Sequence, residues 1–148
     1  MNYQQKYLKY KAKYLELKGG ALRQSDWSNK AYVLTVVTQD GAALKYASPE
    51  LQGDKEVVLA AVTQYGRALR YASPELQGDK EVVLAAVTQD GLALYYAPQA
   101  LRADREVVLT AVARSKDALT FTSQELQREF NNKNKQELIE LLNIEKQR

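Results

Sequence analysis

Neither cysteine nor histidine occurs among the 148 residues of the sequence. Disulfides, thiolate or imidazole zinc sites, cysteine nucleophiles and any triad built on a histidine base are excluded at once. Long apolar runs are missing too. The longest, such as Val57–Val62, has six residues, against the ~20 needed to span a bilayer. The first residues carry lysines but no hydrophobic core region, so no secretory signal is expected. These absences predict an intracellular protein without a membrane span, and without catalytic, cofactor-binding or metal-binding residues. A chain of 16.7 kDa is long enough to fold without such staples, since a domain of this size buries about 68–70% of its unfolded surface.

The net charge of +3 is unevenly distributed. Residues 1–24 hold Lys6, Lys9, Lys11, Lys13, Lys18 and Arg23 against Glu16 alone, a surplus of +5, which leaves −2 for the rest of the chain. Within that basic stretch Tyr3, Tyr7, Tyr10, Tyr14 and Leu17 recur at spacings of four and three. On a helix they form one stripe bordered by Lys6 and Lys13 on one side and Lys11 and Lys18 on the other. Gly19-Gly20 would end that helix and also looks like a Gly-Gly-X processing site. The segment 1–20 is therefore expected to be a basic amphipathic helix. It would cap the body that follows, dock on a partner through its tyrosines, pair phosphates and stack bases as a nucleic-acid contact, or lie weakly on an anionic membrane surface.

That body is repetitive. Tyr46–Gln64 reads YASPELQGDKEVVLAAVTQ, and Tyr71–Gln89 repeats it letter for letter, 25 residues on. The same shift carries Gly41 onto Gly66 and Gly91, and Leu51 onto Leu76, Leu101 and Leu126. A partial copy begins near Asn29, and Leu101–Phe121 belongs to a diverged one. Fixed periods of this size signify stacked units, none of which can bury its apolar face alone. In each unit Asp54 or its equivalent is an N-cap, Val57–Val62 is apolar on nearly all sides, and Gly66 would stop the helix in the left-handed conformation. A second, shorter helix over Ala68, Leu69 and Ala72 follows, then Ser73-Pro74-Glu75 starts a further turn. Ala97-Pro98-Gln99 breaks this pattern and predicts a rearranged turn in the third unit.

These signals predict an all-α, short-repeat α-solenoid of about four 25-residue units over 21–130, with capping helices at both ends. The C-terminal one lies in 131–148, where Asn134 with Glu137 is a capping-box start and Leu138, Leu141, Leu142 and Ile144 form an apolar stripe. The acidic pairs Asp54/Glu56, Asp79/Glu81 and Asp104/Glu106 head each long helix and are explained as caps. Ser48, Ser73 and Ser123 are caps as well, with no base to activate them.

Binding surfaces of solenoids lie where copies differ over a constant scaffold. The variable columns are Asp40/Tyr65/Asp90/Ser115, Ala42/Arg67/Leu92/Asp117 and Lys45/Arg70/Tyr95/Thr120. Stacking would align Lys45, Arg67 with Arg70, and Leu92 with Tyr95 into one ridge suited to a protein partner.

The repeated D-K-E-V-V-L-A-A-V-T-Q-x-G-x-A-L-x-Y-A-S-x-E-L, over roughly 29–127, resembles a family of short helical repeats known as a domain of unknown function. Such repeats occur in tandem in proteins of protists, bacteria and nucleocytoplasmic giant DNA viruses. The Tyr/Lys segment with Gly-Gly after it is similar to N-termini that recur on otherwise unrelated giant-virus proteins. Together the two resemblances imply a giant-virus protein of no known activity. They also imply a leader shared as an address or packaging tag, with a place in the viral factory, host cytoplasm or virion. On these readings the partner-binding candidates are Tyr3, Lys6, Tyr7, Tyr10, Lys11, Tyr14, Lys45, Arg67, Arg70 and Tyr95. Self-association is included among the expected partnerships.

Overall fold

The computed structural model describes residues 27–148. The basic segment 1–20, with Tyr3, Lys6, Tyr7, Tyr10, Lys11 and Tyr14, and the Gly20–Ala21 junction lie outside the described residues.

Each 25-residue unit is built in the same three steps. A 3-10 segment comes first (Gly41–Tyr46, Gly66–Tyr71, Gly91–Tyr96, Lys116–Phe121). A short α-helix follows: α2 Pro49–Gln52, α4 Pro74–Gln77, α6 Gln99–Arg102, α8 Gln124–Phe130. A long α-helix closes the unit, and the series is α1 Lys30–Val37, α3 Lys55–Gln64, α5 Lys80–Gln89, α7 Arg105–Arg114 and, after a polar break, α9 Lys135–Lys146. No strand occurs among the described residues. The all-α solenoid of repeated units is thus the architecture found.

The caps are those the residues demand. Asp54, Asp79 and Asp104 accept from the backbone N–H of Val57, Val82 and Val107 at 3.1–3.2 Å. Ser48, Ser73 and Ser123 cap α2, α4 and α8, and proline leads α2 and α4 where a missing N–H costs nothing. Asn134 and Glu137 complete a capping box on α9. Val57, Val58, Ala61 and Val62 of α3 are fully buried, as are Val82, Val83, Ala86 and Val87 of α5. Leu44, Leu69 and Leu94 of the 3-10 segments complete one continuous core. Each fully buried valine or leucine contributes about 1.5–3 kcal/mol of hydrophobic stabilisation.

Three local expectations are corrected. The second element of each unit is 3-10 rather than α, held between an extended residue before it (Tyr65, φ −144°, ψ 97°) and another after it (Ala72). The glycine at its head is not a left-handed helix stop. The helix ends at extended Tyr65 or Asp90, and a Cβ on Gly41, Gly66 or Gly91 would overlap the carbonyl oxygen of Ala61, Ala86 or Ala111 in the next long helix. The requirement is close approach between units. Lys116 stands in this place in the last unit, ahead of which no long helix follows at the 25-residue register. Finally, the turn at Pro98 is not rearranged. Pro98 occupies the cap position of α6 with φ −67°, ψ 162°, and the helix forms in its usual place without a side-chain cap. What is lost is a bond: Ser48, Ser73 and Ser123 donate their N–H to Trp27, Gln52 and Arg102 of the preceding unit, and proline has none to give.

Candidate interaction surface

Along one edge of the stack runs a ladder of ion pairs. Lys30 reaches Asp54 (2.9 Å) and Glu56 (2.7 Å), Lys55 reaches Asp79 (3.0 Å) and Glu81 (2.6 Å), and Lys80 reaches Asp104 (3.0 Å) and Glu106 (2.9 Å). Each lysine opens one long helix and each acidic pair opens the next, so successive long helices lie first turn against first turn. The acidic pairs read from the sequence as caps are therefore also clamps. The hydrogen bond from Lys30 holds the Asp54 carboxyl below its usual range, and that from Lys55 does the same for Asp79. The signal was present in the period, since every lysine precedes its acids by 24 and 26 positions. At the end of the array Arg105 replaces lysine and grips Glu129 through two nitrogens at 2.7 and 2.6 Å. It also meets Glu145, in the last turn of α9, at 3.3 Å. Here last turn meets first turn, so α9 does not continue the parallel order. Leu138 and Leu142 are buried against the body, and Leu109 and Thr110 of α7 are buried where Leu84 and Ala85 of α5 are only half-buried.

Two of the variable columns fall on the 3-10 segments, and the third, Asp40/Tyr65/Asp90/Ser115, on the extended residue ahead of each. With three residues per turn, positions three apart eclipse, so Arg67 lies in line with Arg70, and Leu92 with Tyr95. The structure separates the predicted site residues by what they touch. Arg67 is engaged within the protein, its Nε 2.6 Å from the Asp90 carboxylate of the next unit. Lys45 lies over the Tyr46 ring at 4.8 Å, and Arg70 over the Tyr71 ring at 4.7 Å, both at cation–π distance. Tyr95 replaces the cation in the third unit. It is 58% exposed, the most exposed large apolar side chain among the described residues. Its ring is fixed edge-on by Tyr96 (5.1 Å) and Phe121 (5.2 Å). The ridge thus passes from cation-on-tyrosine in the first two units to an aromatic cluster in the third. No group of three or more metal-ligating side chains occurs among the described residues, and no described helix is long and apolar enough to cross a membrane.

Two copies of a family model, described as a domain of unknown function (DUF4116), match residues 29–77 and 79–127. The chain belongs to the DUF4116 family. Each copy takes in two of the 25-residue units, so the family's repeat is a pair: two 3-10 segments, two short helices and the long helices between them. The pairing splits the doubled sequence 46–64 and 71–89 across the boundary near Gly78. No curated protein and no solved structure matches the chain.

Proposed function

We propose that this DUF4116 protein is a non-enzymatic interaction module of a giant DNA virus, docking protein partners through the ridge of its 3-10 segments and through the basic segment 1–20. It would act in the viral factory, the host cytoplasm or the virion. The observation that carries the reading is Tyr95, an aromatic side chain left 58% exposed yet held by two neighbouring rings. Tyrosine fixed in this way offers contact area at little entropic cost, and aromatic residues and arginine are the types enriched at interfaces. Arg70 beside it supplies a charged rim. The paired carboxylates and the serines at the helix starts, such as Asp54, Ser73, Asp79 and Glu81, are committed to caps and clamps, which supports a scaffold rather than an enzyme. The Tyr/Lys leader and its likeness to giant-virus N-termini support the source and a second docking element.

The test is affinity capture from infected host cells with nuclease treatment, comparing the full chain, a chain starting at Ala21, and the double variant Arg70→Glu with Tyr95→Ser. Arg67 is left intact because its loss would break the bond to Asp90. Partners retained after nuclease and lost from the folded double variant support the ridge; partners lost with residues 1–20 support the leader. If every captured protein is released by nuclease, the chain is a nucleic-acid-associated protein acting through its lysines, and the docking reading fails.

A further inference from the structure

Departures from the repeat run through residues 98–124, among them Pro98, Arg105, Thr110 and Lys116. Six of them meet at one cleft of ≈ 280 Å³ between the third and fourth units, lined by Gln99, Arg102, Ala103, Phe121, Thr122, Ser123 and Gln124. In the doubled unit the equivalent residues are Pro, Gln, Gly, Tyr, Ala, Ser and Pro. Only Ser123 keeps its identity.

The change at Arg102 is the informative one. Its equivalents Gln52 and Gln77 are spent on the scaffold: Gln52 donates to the carbonyls of Leu44 (3.2 Å) and Lys45 (3.5 Å), and Gln77 to those of Leu69 (3.1 Å) and Arg70 (3.3 Å). Gln127 donates likewise to Thr122. Among the described residues the Arg102 side chain makes no hydrogen bond or ion pair, and its Nε is buried without an acceptor. An unmet guanidinium donor is costly, and although Nε is buried the Arg102 side chain is only half-buried at the cleft, where the rest of its guanidinium is open to an acceptor. The cleft is smaller than the usual small-molecule site and fits a side chain. Around it stand two primary amides, Gln99 and Gln124, both exposed, and the Phe121 ring. Phe121 in turn touches Tyr95, so the cleft opens beside the aromatic end of the ridge.

We infer that the cleft at Arg102 receives an acidic side chain of a partner polypeptide, its carboxylate paired with the guanidinium while neighbouring apolar residues of that partner pack on Tyr95 and Phe121. Planar guanidinium and carboxylate pair through parallel N–H···O bonds, which gives direction as well as attraction. The inference rests on the ridge being a docking face, and adds the anchor and the chemistry of what docks.

The probe is the capped tripeptide acetyl-Leu-Glu-Leu-amide, titrated into the ¹⁵N-labelled full chain, with acetyl-Leu-Gln-Leu-amide and sodium phosphate as separate arms. With the Glu peptide, the Arg102 Nε–H resonance and the amides of Thr122 and Gln124 should shift together in the millimolar range. The Gln peptide should bind about tenfold more weakly or worse, as loss of a charged hydrogen-bond pair requires. Arg102→Gln restores the residue of the equivalent units, so the fold is kept; it should abolish the discrimination between the two peptides. Equal shifts with Glu and Gln peptides, shifts unchanged in Arg102→Gln, or shifts with phosphate but not with the Glu peptide each overturn the inference. If Arg102→Gln leaves cellular partners bound while Arg70→Glu with Tyr95→Ser releases them, the ridge stands and the cleft alone is refuted.

Discussion

At the scale of single residues, a fixed period makes the same backbone atom meet the same neighbour in every unit. Gly66 and Gly53 show how differently two glycines of one repeat are constrained. A methyl on Gly66 would overlap the Ala86 carbonyl oxygen, a backbone atom that cannot swing aside as a side chain can. Gly66→Ala should cost about 1–3 kcal/mol, the range for overpacking a closed interface. A Cβ on Gly53 would meet Glu50 and Pro49 carbonyls at 3.5 and 3.6 Å, ordinary contact, and its φ of −98° suits any residue. The third unit already carries Ala103 there with φ −109°. Gly53→Ala should therefore stabilise by about 0.4–1 kcal/mol, through the lost freedom of the unfolded chain. Urea unfolding of both variants decides the matter, and a loss at Gly53 comparable to that at Gly66 would show that the glycines serve chain flexibility instead. Gly66 is also where reasoning from sequence fell short. A glycine after a helix suggests a left-handed stop, because its true constraint, a carbonyl 20 residues further along the chain, is a tertiary fact.

Between elements, the clamps join each long helix to the next and leave a mark on pH dependence. Lys30, Lys55 and Arg105 donate to Asp54, Asp79 and Glu129 and hold those carboxyls below their ordinary values. A carboxyl whose pKa is depressed on folding adds stability that is fully present above its unfolded value of about 4 and is lost as pH falls through the lower folded value. The lysines are more than two-fifths exposed, so each clamp is a modest, screened contribution. Their number makes the effect visible. The wild-type chain should lose more stability between about pH 5 and pH 3 than Lys30→Met with Lys55→Met, and the gap should narrow at high salt. Parallel urea midpoints across that range test it; superimposable profiles would mean that the pairs contribute nothing measurable. Much of this level was legible beforehand. Serine, aspartate and asparagine caps, the buried Val-Val-Leu-Ala-Ala-Val helix and the final capping box all stood in local patterns of a few residues. The clamps did not, although the period contained them, because nothing in one unit says that its lysine faces the acids of the next. The 3-10 form of the Gly66–Tyr71 segment was also hidden. Its six residues fit either helix type, and extended residues at both ends, set by stacking, select the tighter one.

For the whole molecule, the question is how a stack of like units ends. Repeats contact only their neighbours, so a terminal unit exposes a face that an internal one buries. The chain meets this at its C-terminal side by changing three things at once. Lysine becomes Arg105, the aspartate 24 residues on becomes Glu129 with Glu145 added, and α9 arrives with its last turn at the first turn of α7. The ridge, too, belongs to this scale. Its columns could be read by comparing copies, but which members are free to meet a partner could not, since Arg67 turned out to serve Asp90 in the next unit. If α9 is an end seal, weakening it should be felt locally. Leu138 is 1% and Leu142 9% exposed, and Leu138→Ala with Leu142→Ala should cost about 2–5 kcal/mol per site at the interface. In a nearest-neighbour stack that loss falls first on α7, whose Leu109 would be uncovered, and little on α3, two interfaces away. Hydrogen exchange of the full-length variant should show protection dropping in α9 and α7, less in α5 and least in α3. Protection falling equally in all four helices would mean that the array opens as one cooperative body, with α9 a member of its core rather than a seal on its end.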